Sequence, residues 1–177
     1  RPFFLNLWHY AVHGPWGHKE ACTAEFAKQK DPRGVQGNPI MAAMLRSVDE
    51  SLGRVMDKLD ELEIAGDTIV IFYSDNGGPL PRGKRELLDS GLHVPFLMRF
   101  PDGAQAGTAV DDLVAFVDVP ATILSLAGVP VPKHVQGRPF WGDQKAPPRE
   151  YVFAARDRMD EQVDHVRAAR DRRFKYL

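Results

Sequence analysis

Residues 68–77 read Thr68-Ile69-Val70-Ile71-Phe72-Tyr73-Ser74-Asp75-Asn76-Gly77. The β-branched and aromatic run up to Tyr73 has no polar alternation, which describes a strand covered on both faces, as in a parallel sheet between helices. It stops at Ser74, where an acid, an amide and two glycines follow. Upstream, Met41, Met44, Leu45, Val48, Leu52, Val55, Met56, Leu59 and Leu62 recur at spacings of three and four, the pattern of one amphipathic helix. Asn38 is placed to cap it, Pro39 suits its first turn and Gly66 its close. Residues 3–8 read as a second buried strand. Helix followed by buried strand, with another strand before both, makes an α/β unit.

Further along, residues 94–100 form a strand candidate that Pro95 places near an edge or a bulge. Residues 113–116 are short and extended. Asp118 caps a helix through Ala127, with Pro120 in its first turn and Gly128 at its end. Residues 129–149 hold many of the prolines and read as a connector. Residues 151–155, 165–170 and 173–177 alternate as strands of an antiparallel sheet. The expected organisation is an α/β body over 1–140, then a linker and the start of a small antiparallel subdomain over 141–177. The chain opens in one strand-like run and stops in another, so it is expected to be a piece of a larger protein.

Of the 177 residues, 44% are apolar and 27% charged, the balance of an ordinary globular protein. Basic residues number 23 and acidic ones 24, a net charge of −1. That argues against nucleic acid or an anionic membrane as the principal partner. Cys22 is the single cysteine, which excludes an internal disulfide and a cysteine-cluster metal site. No apolar run approaches the roughly 18 residues of a membrane span.

Open α/β sheets place their ligands at the carboxyl ends of the strands. Asp75 and Asn76 stand at such an end, and a carboxylate beside an amide carbonyl offers the hard oxygen donors that calcium or magnesium prefers. The glycines let the backbone turn sharply and a ligand come close. A hairpin is the alternative, since Asn-Gly is a favoured turn pair, although Pro79 and Pro81 follow where a partner strand would begin. His13, in Ala11-Val12-His13-Gly14-Pro15, lies just past the strand at 3–8. If the two strands are parallel it reaches the same edge as Asp75; otherwise it is an ordinary structural histidine. His9, His13 and His18 match no common structural zinc spacing. Lys84, in Arg82-Gly83-Lys84-Arg85, follows closely enough to fold back over the acid–amide pair, or is a solvated surface lysine.

These residues carry a resemblance to the sulfatases. Arg1-Pro2-Phe3-Phe4-Leu5-Asn6-Leu7-Trp8-His9-Tyr10-Ala11-Val12-His13-Gly14-Pro15 is similar to the segment that presents their active-site histidine. Asp49-Glu50-Ser51-Leu52-Gly53-Arg54-Val55 and the stretch 67–77 resemble their helix and metal-binding strand. Gly83-Lys84 through Ser90-Gly91-Leu92-His93-Val94-Pro95-Phe96 is similar to the part carrying their sulfate-binding lysine. Val117-Asp118-Val119-Pro120-Ala121-Thr122-Ile123-Leu124 and Gln136-Gly137-Arg138 continue it.

The resemblance implies an alkaline-phosphatase-like α/β sandwich followed by a smaller antiparallel C-terminal subdomain. It implies that Asp75 and Asn76 bind calcium, that His13 contacts the sulfate and protonates the leaving oxygen, and that Lys84 neutralises sulfate charge. The family's nucleophile is a formylglycine made from Cys or Ser in a Cys/Ser-x-Pro/Ala-x-Arg signature. That signature does not occur here: four residues after Cys22 stands Phe26, not Arg. The paired aspartates that complete the family's calcium shell upstream are missing as well. The chain is therefore expected to hold about half of an active site and to be inert alone.

The short link from Asp75 to Lys84 resembles the branch related to heparan N-sulfatase, which points to sulfated sugars, with aryl sulfates as the other substrate class. His93 stands where many relatives carry Arg. In Arg156-Asp157-Arg158-Met159-Asp160-Glu161, Arg156 is a candidate substrate-binding residue leaning over the cleft, the alternative being a solvated loop between strands. Family habit implies a periplasmic, extracellular or lysosomal protein, and nothing in the sequence sets an oligomeric state. Two other readings stay open: a phosphatase or phosphodiesterase of the same superfamily, and a non-catalytic relative that holds sulfated glycans.

Overall fold

The computed structural model describes residues 1–35, 37–78, 82–101, 103–159 and 161–177, so Pro79, Pro81 and Asp160 lie outside the described residues. The chain forms two compact units, Arg1–Ile69 with Phe100–Asp102, and Val70–Arg99 with Gly103–Leu177.

In the first unit, α1 spans Glu20–Phe26 and α2 spans Pro39–Glu61. The Asn38 side chain accepts a hydrogen bond from the Met41 backbone N–H at 3.1 Å, satisfying a donor that a helix start leaves unmatched. The apolar face buries Ala43, Met44 and Leu59. Arg46 on α2 donates to both carboxylate oxygens of Glu25 on α1, at 2.5 and 3.1 Å, and lies 4.8 Å over the Phe26 ring. That guanidinium holds the Glu25 carboxyl below its ordinary range. The helix stops before Gly66 because Glu63 already takes a left-handed φ of 57°, and a 3-10 turn over Ala65–Asp67 follows.

Residues 3–8 are not a strand. They join neither sheet, and Phe4 and Trp8 are 71% and 83% exposed. A strand exists only through its ladder of partners, and none of the described residues pairs with this run.

In the second unit, β1 (Val70–Tyr73) and β2 (Phe96–Arg99) pair antiparallel, from Val70 opposite Arg99 to Tyr73 opposite Phe96. This corrects the parallel pairing expected of the 68–73 run. An uninterrupted apolar strand reports that it is covered, not which way its neighbour runs. A short helix, α3 (Asp89–Leu92), precedes β2, and α4 spans Asp118–Leu126. The last elements are β3 (Val152–Met159), β4 (Gln162–Arg170) and β5 (Lys175–Tyr176), an antiparallel sheet in that order, as the alternation over 151–177 predicts.

Beside the apolar Val119 and Ala121, α4 buries three polar side chains. Asp118, Thr122 and Ser125 are all buried, and each accepts a backbone N–H from the connector: Arg138 to Asp118 at 2.8 Å, Phe140 to Thr122 at 3.1 Å, and Gln144 to Ser125 at 3.0 Å. A segment without a strand partner thus has its buried donors satisfied by a helix. Asp118 is the first helical residue rather than the cap; its carboxylate accepts from the Ala115 N–H at 3.0 Å and from Arg149 at 2.5 and 2.7 Å. Among the described residues no helix is long and apolar enough to cross a membrane.

Candidate functional site

His13 belongs to the first unit, and Asp75, Asn76, Lys84 and Arg156 belong to the second. Each unit's residues are described in turn.

At the end of β1 the Ser74 hydroxyl donates to the Asn76 carbonyl at 3.0 Å, turning the chain out of the ladder. The Asn76 amide donates to an Asp75 carboxylate oxygen at 2.7 Å. Asp75 is exposed and Asn76 half-buried, and the Asp75 carboxylate meets no cation among the described residues. The loop then joins the segment that carries Lys84: the Gly77 N–H donates to the Gly91 carbonyl at 2.9 Å, and the Lys84 N–H to the Gly78 carbonyl at 2.8 Å. Acid, amide and lysine therefore sit in one hydrogen-bonded layer.

Gly77 is what allows the layer to close. A Cβ there would overlap the Ser90 carbonyl oxygen, and backbone cannot move aside as a flexible side chain does. Gly77→Ala is therefore expected to destabilise the protein by about 1–3 kcal/mol, read as a lower melting temperature. Gly53→Ala, in open space on α2, is the control with the opposite sign, stabilising by about 0.5–1 kcal/mol.

Lys84 is half-buried, and its ammonium forms no ion pair among the described residues. Its neighbours Arg82 and Arg85 hold left-handed φ values of 61° and 78°, a conformation uncommon outside glycine that persists only where surrounding contacts enforce it. The Arg82 carbonyl accepts from the Ser90 hydroxyl, while at Arg85 the contact comes from the antiparallel sheet. Arg156 on β3 donates to the Arg85 carbonyl at 2.8 Å and pairs with Glu86 at 3.0 Å and with Asp164 of β4 at 2.5 Å. Its side chain is only 14% exposed, and its Nε is buried without a partner among the described residues. Arg156 thus lies against the Lys84 turn with both terminal nitrogens engaged. Arg170 of β4 meets Asp89 at 2.9 and 3.1 Å, and Lys175 of β5 binds Asp89 and the Leu87 carbonyl. The Lys175 bond keeps the Asp89 carboxyl below its ordinary range, burial working the other way. These anchors went unseen in the sequence because cross-strand register, not spacing, brings them together.

In the first unit His13 is exposed, its ring 5.4 Å from that of Tyr10. Its Nδ1 lies 2.6 Å from the Gly14 carbonyl oxygen. A carbonyl only accepts, so Nδ1 carries a proton and Nε2 is the atom left for chemistry.

Asp75 and Asn76 supply hard oxygen donors of the kind calcium takes, though calcium gathers about six to eight of them. Among the described residues no group of three His, Cys, Asp or Glu side chains could hold a metal, so the pair fits calcium as part of a larger shell.

The sulfatase family model matches residues 1–129. The chain is similar to an ulvan-active sulfatase of Formosa agariphila, 43% identical over 130 residues, which cover 73% of this chain and 22% of that protein. It is similar to an N-acetylgalactosamine-6-sulfatase of Sus scrofa, 32% identical over 144 residues, covering 74% and 26%. Among solved structures, Ps i-CgsB in complex with k-i-k-neocarrahexaose aligns over 91% of this chain and 38% of that one, with a TM-score of 0.73 and 26% identity. The chain thus spans about a quarter of the length of the curated relatives it matches.

Proposed function

Because this chain belongs to the sulfatase family, with the alkaline-phosphatase-like fold of its structural neighbours, we propose that its full-length protein hydrolyses the sulfate ester or N-sulfate of a sulfated sugar or aryl compound. Asp75 and Asn76 contribute to a calcium site, Lys84 meets the charge of the sulfate, and His13 serves the leaving group. One observation carries this reading: a carboxylate–amide pair and a half-buried ammonium, neither with an ion-pair partner among the described residues, share one hydrogen-bonded layer at a strand end.

Each residue has a definable task. Charge on the sulfuryl oxygens in the transition state is stabilised by a fixed cation that needs no reorganisation, and a half-buried lysine suits this better than an exposed one. Calcium, when bound, supplies Lewis-acid charge of the same sense. His13, with its Nδ1 proton engaged by the Gly14 carbonyl, presents Nε2 for holding or giving a proton; it enters this reading through its sequence motif. The formylglycine nucleophile comes from outside these residues, where the Cys/Ser-x-Pro/Ala-x-Arg signature is absent. The sugar-directed name of the N-acetylgalactosamine-6-sulfatase and the neocarrahexaose complex support a sulfated carbohydrate as substrate.

The test is sulfate release by the full-length protein from an aryl sulfate and a sulfated oligosaccharide, before and after chelation and calcium restoration. Release that chelation stops and calcium restores is the expected result, with none from the 177 residues alone. Faster phosphate release by a protein carrying two zinc ions would overturn the proposal in favour of a phosphatase. Glycan binding without any hydrolysis would leave a binding relative.

A further inference from the structure

Lys84 can meet a sulfate only if the turn that carries it stays where it is, and that turn is flanked by residues in left-handed backbone. We propose that Arg156 is the positioning residue for Lys84: through the Arg85 carbonyl and the Glu86 carboxylate it holds the turn in its productive shape, and it does not itself contact substrate. This rests on the reading of Lys84 as the sulfate-binding cation.

The geometry supports this division of labour. One terminal nitrogen of Arg156 serves both the Arg85 carbonyl and Glu86, and the other serves Asp164. The planar fork of a guanidinium spans such divergent acceptors, whereas the single head of a lysine does not. Three of the four terminal N–H groups of Arg156 are engaged and its Nε is buried, so at most one N–H is open to any other acceptor. Asp164 in turn fixes the guanidinium from the neighbouring strand, so the turn is referenced to a hydrogen-bonded sheet. Without Arg156, Glu86 and Asp164 lose their shared counter-ion and the strained turn loses a restraint.

The decisive experiment is a double-mutant cycle in the full-length enzyme with a small aryl sulfate. Lys84→Ala is expected to lower kcat/KM by about a hundredfold or more, and Arg156→Ala by roughly ten- to a hundredfold through misplacement of the lysine. The double variant should be no worse than Lys84→Ala alone, within about twofold, because a residue acting only through Lys84 has nothing left to act on. Arg156→Lys should recover part of the loss, and calcium affinity should stay unchanged in all three. Glu86→Gln, which keeps the bond to the carbonyl, should show a smaller loss with the same non-additivity, and it decides the matter if Arg156→Ala does not fold. Losses that multiply in the double variant would overturn the proposal while leaving Lys84 as the sulfate cation. So would an Arg156→Ala effect confined to large sulfated oligosaccharides, which marks direct substrate contact. An unaffected Lys84→Ala enzyme would sink both this proposal and the reading beneath it.

Discussion

In the full-length protein, Asp75→Ala is expected to lower kcat/KM for sulfate release by about a thousandfold and to weaken calcium binding in parallel. Removing one well-placed electrostatic stabiliser costs on the order of 10²–10³ in kcat, and Asp75 is the charged member of the proposed metal pair. The effect should be chemical and not structural. Asp75 is exposed, and among the described residues its side chain is bonded by Asn76 alone, so stability should change by no more than a surface substitution's roughly 0.5 kcal/mol. Asp75→Asn keeps an oxygen donor and loses the charge, and should fall between the two. Calcium titration followed by calorimetry separates the cases: an Asp75→Ala enzyme with unaltered calcium affinity and full turnover would place the metal elsewhere.

Asp118→Ala is expected to have the largest effect on stability, about 3–5 kcal/mol, the usual result of removing one partner of a buried ion pair. The carboxylate is 2% exposed and joins three stretches of chain, accepting from Ala115, Arg138 and Arg149. Its loss strands a guanidinium and two backbone donors together. Asp118→Asn should lose less, about 1.5–3 kcal/mol, since an amide oxygen still accepts. A urea midpoint for either variant equal to that of the parent would refute this account of the α4 face.

The same residue sets a pH dependence. Burial pushes the Asp118 carboxyl up, but the Arg149 guanidinium and the Arg138 and Ala115 N–H groups together pull it below the ordinary carboxylate range. A group whose folded pKa lies below its unfolded one favours the folded state above the unfolded value, and that contribution is lost as pH falls through the folded value. The stability gap between the parent and Asp118→Asn should therefore be constant near neutrality and shrink as the solution is taken into the acid range.

Much of the architecture was written in local pattern. The three-and-four spacing from Met41 onward with Asn38 ahead of it named α2, and the 151–177 alternation named the terminal sheet, because periodicity and caps depend on neighbours in the chain. The 3–8 run and the direction of β1 were misread for a single reason: apolar composition says that a segment is fit to be covered, while the partner and its direction come from elsewhere in the fold. The cap expected of Asp118 is a local role, whereas its carboxylate also serves Arg138 and Arg149, 20 and 31 positions away.

What the sequence determined by itself was the chemistry on offer and its order: an acid beside an amide at a strand end, a lysine soon after, an imidazole in its own glycine-flanked motif, and no formylglycine signature. Those follow from residue type and short spacing alone. Tertiary structure decided which charges stay free and which are consumed. Arg156 and Lys84 are both cations of a kind that suits a sulfate, yet one is held between Glu86, Asp164 and a carbonyl, and the other forms no ion pair among the described residues. Side chains seventy residues apart find each other only through strand register and loop path, and a salt bridge depends on where its two ends arrive in space.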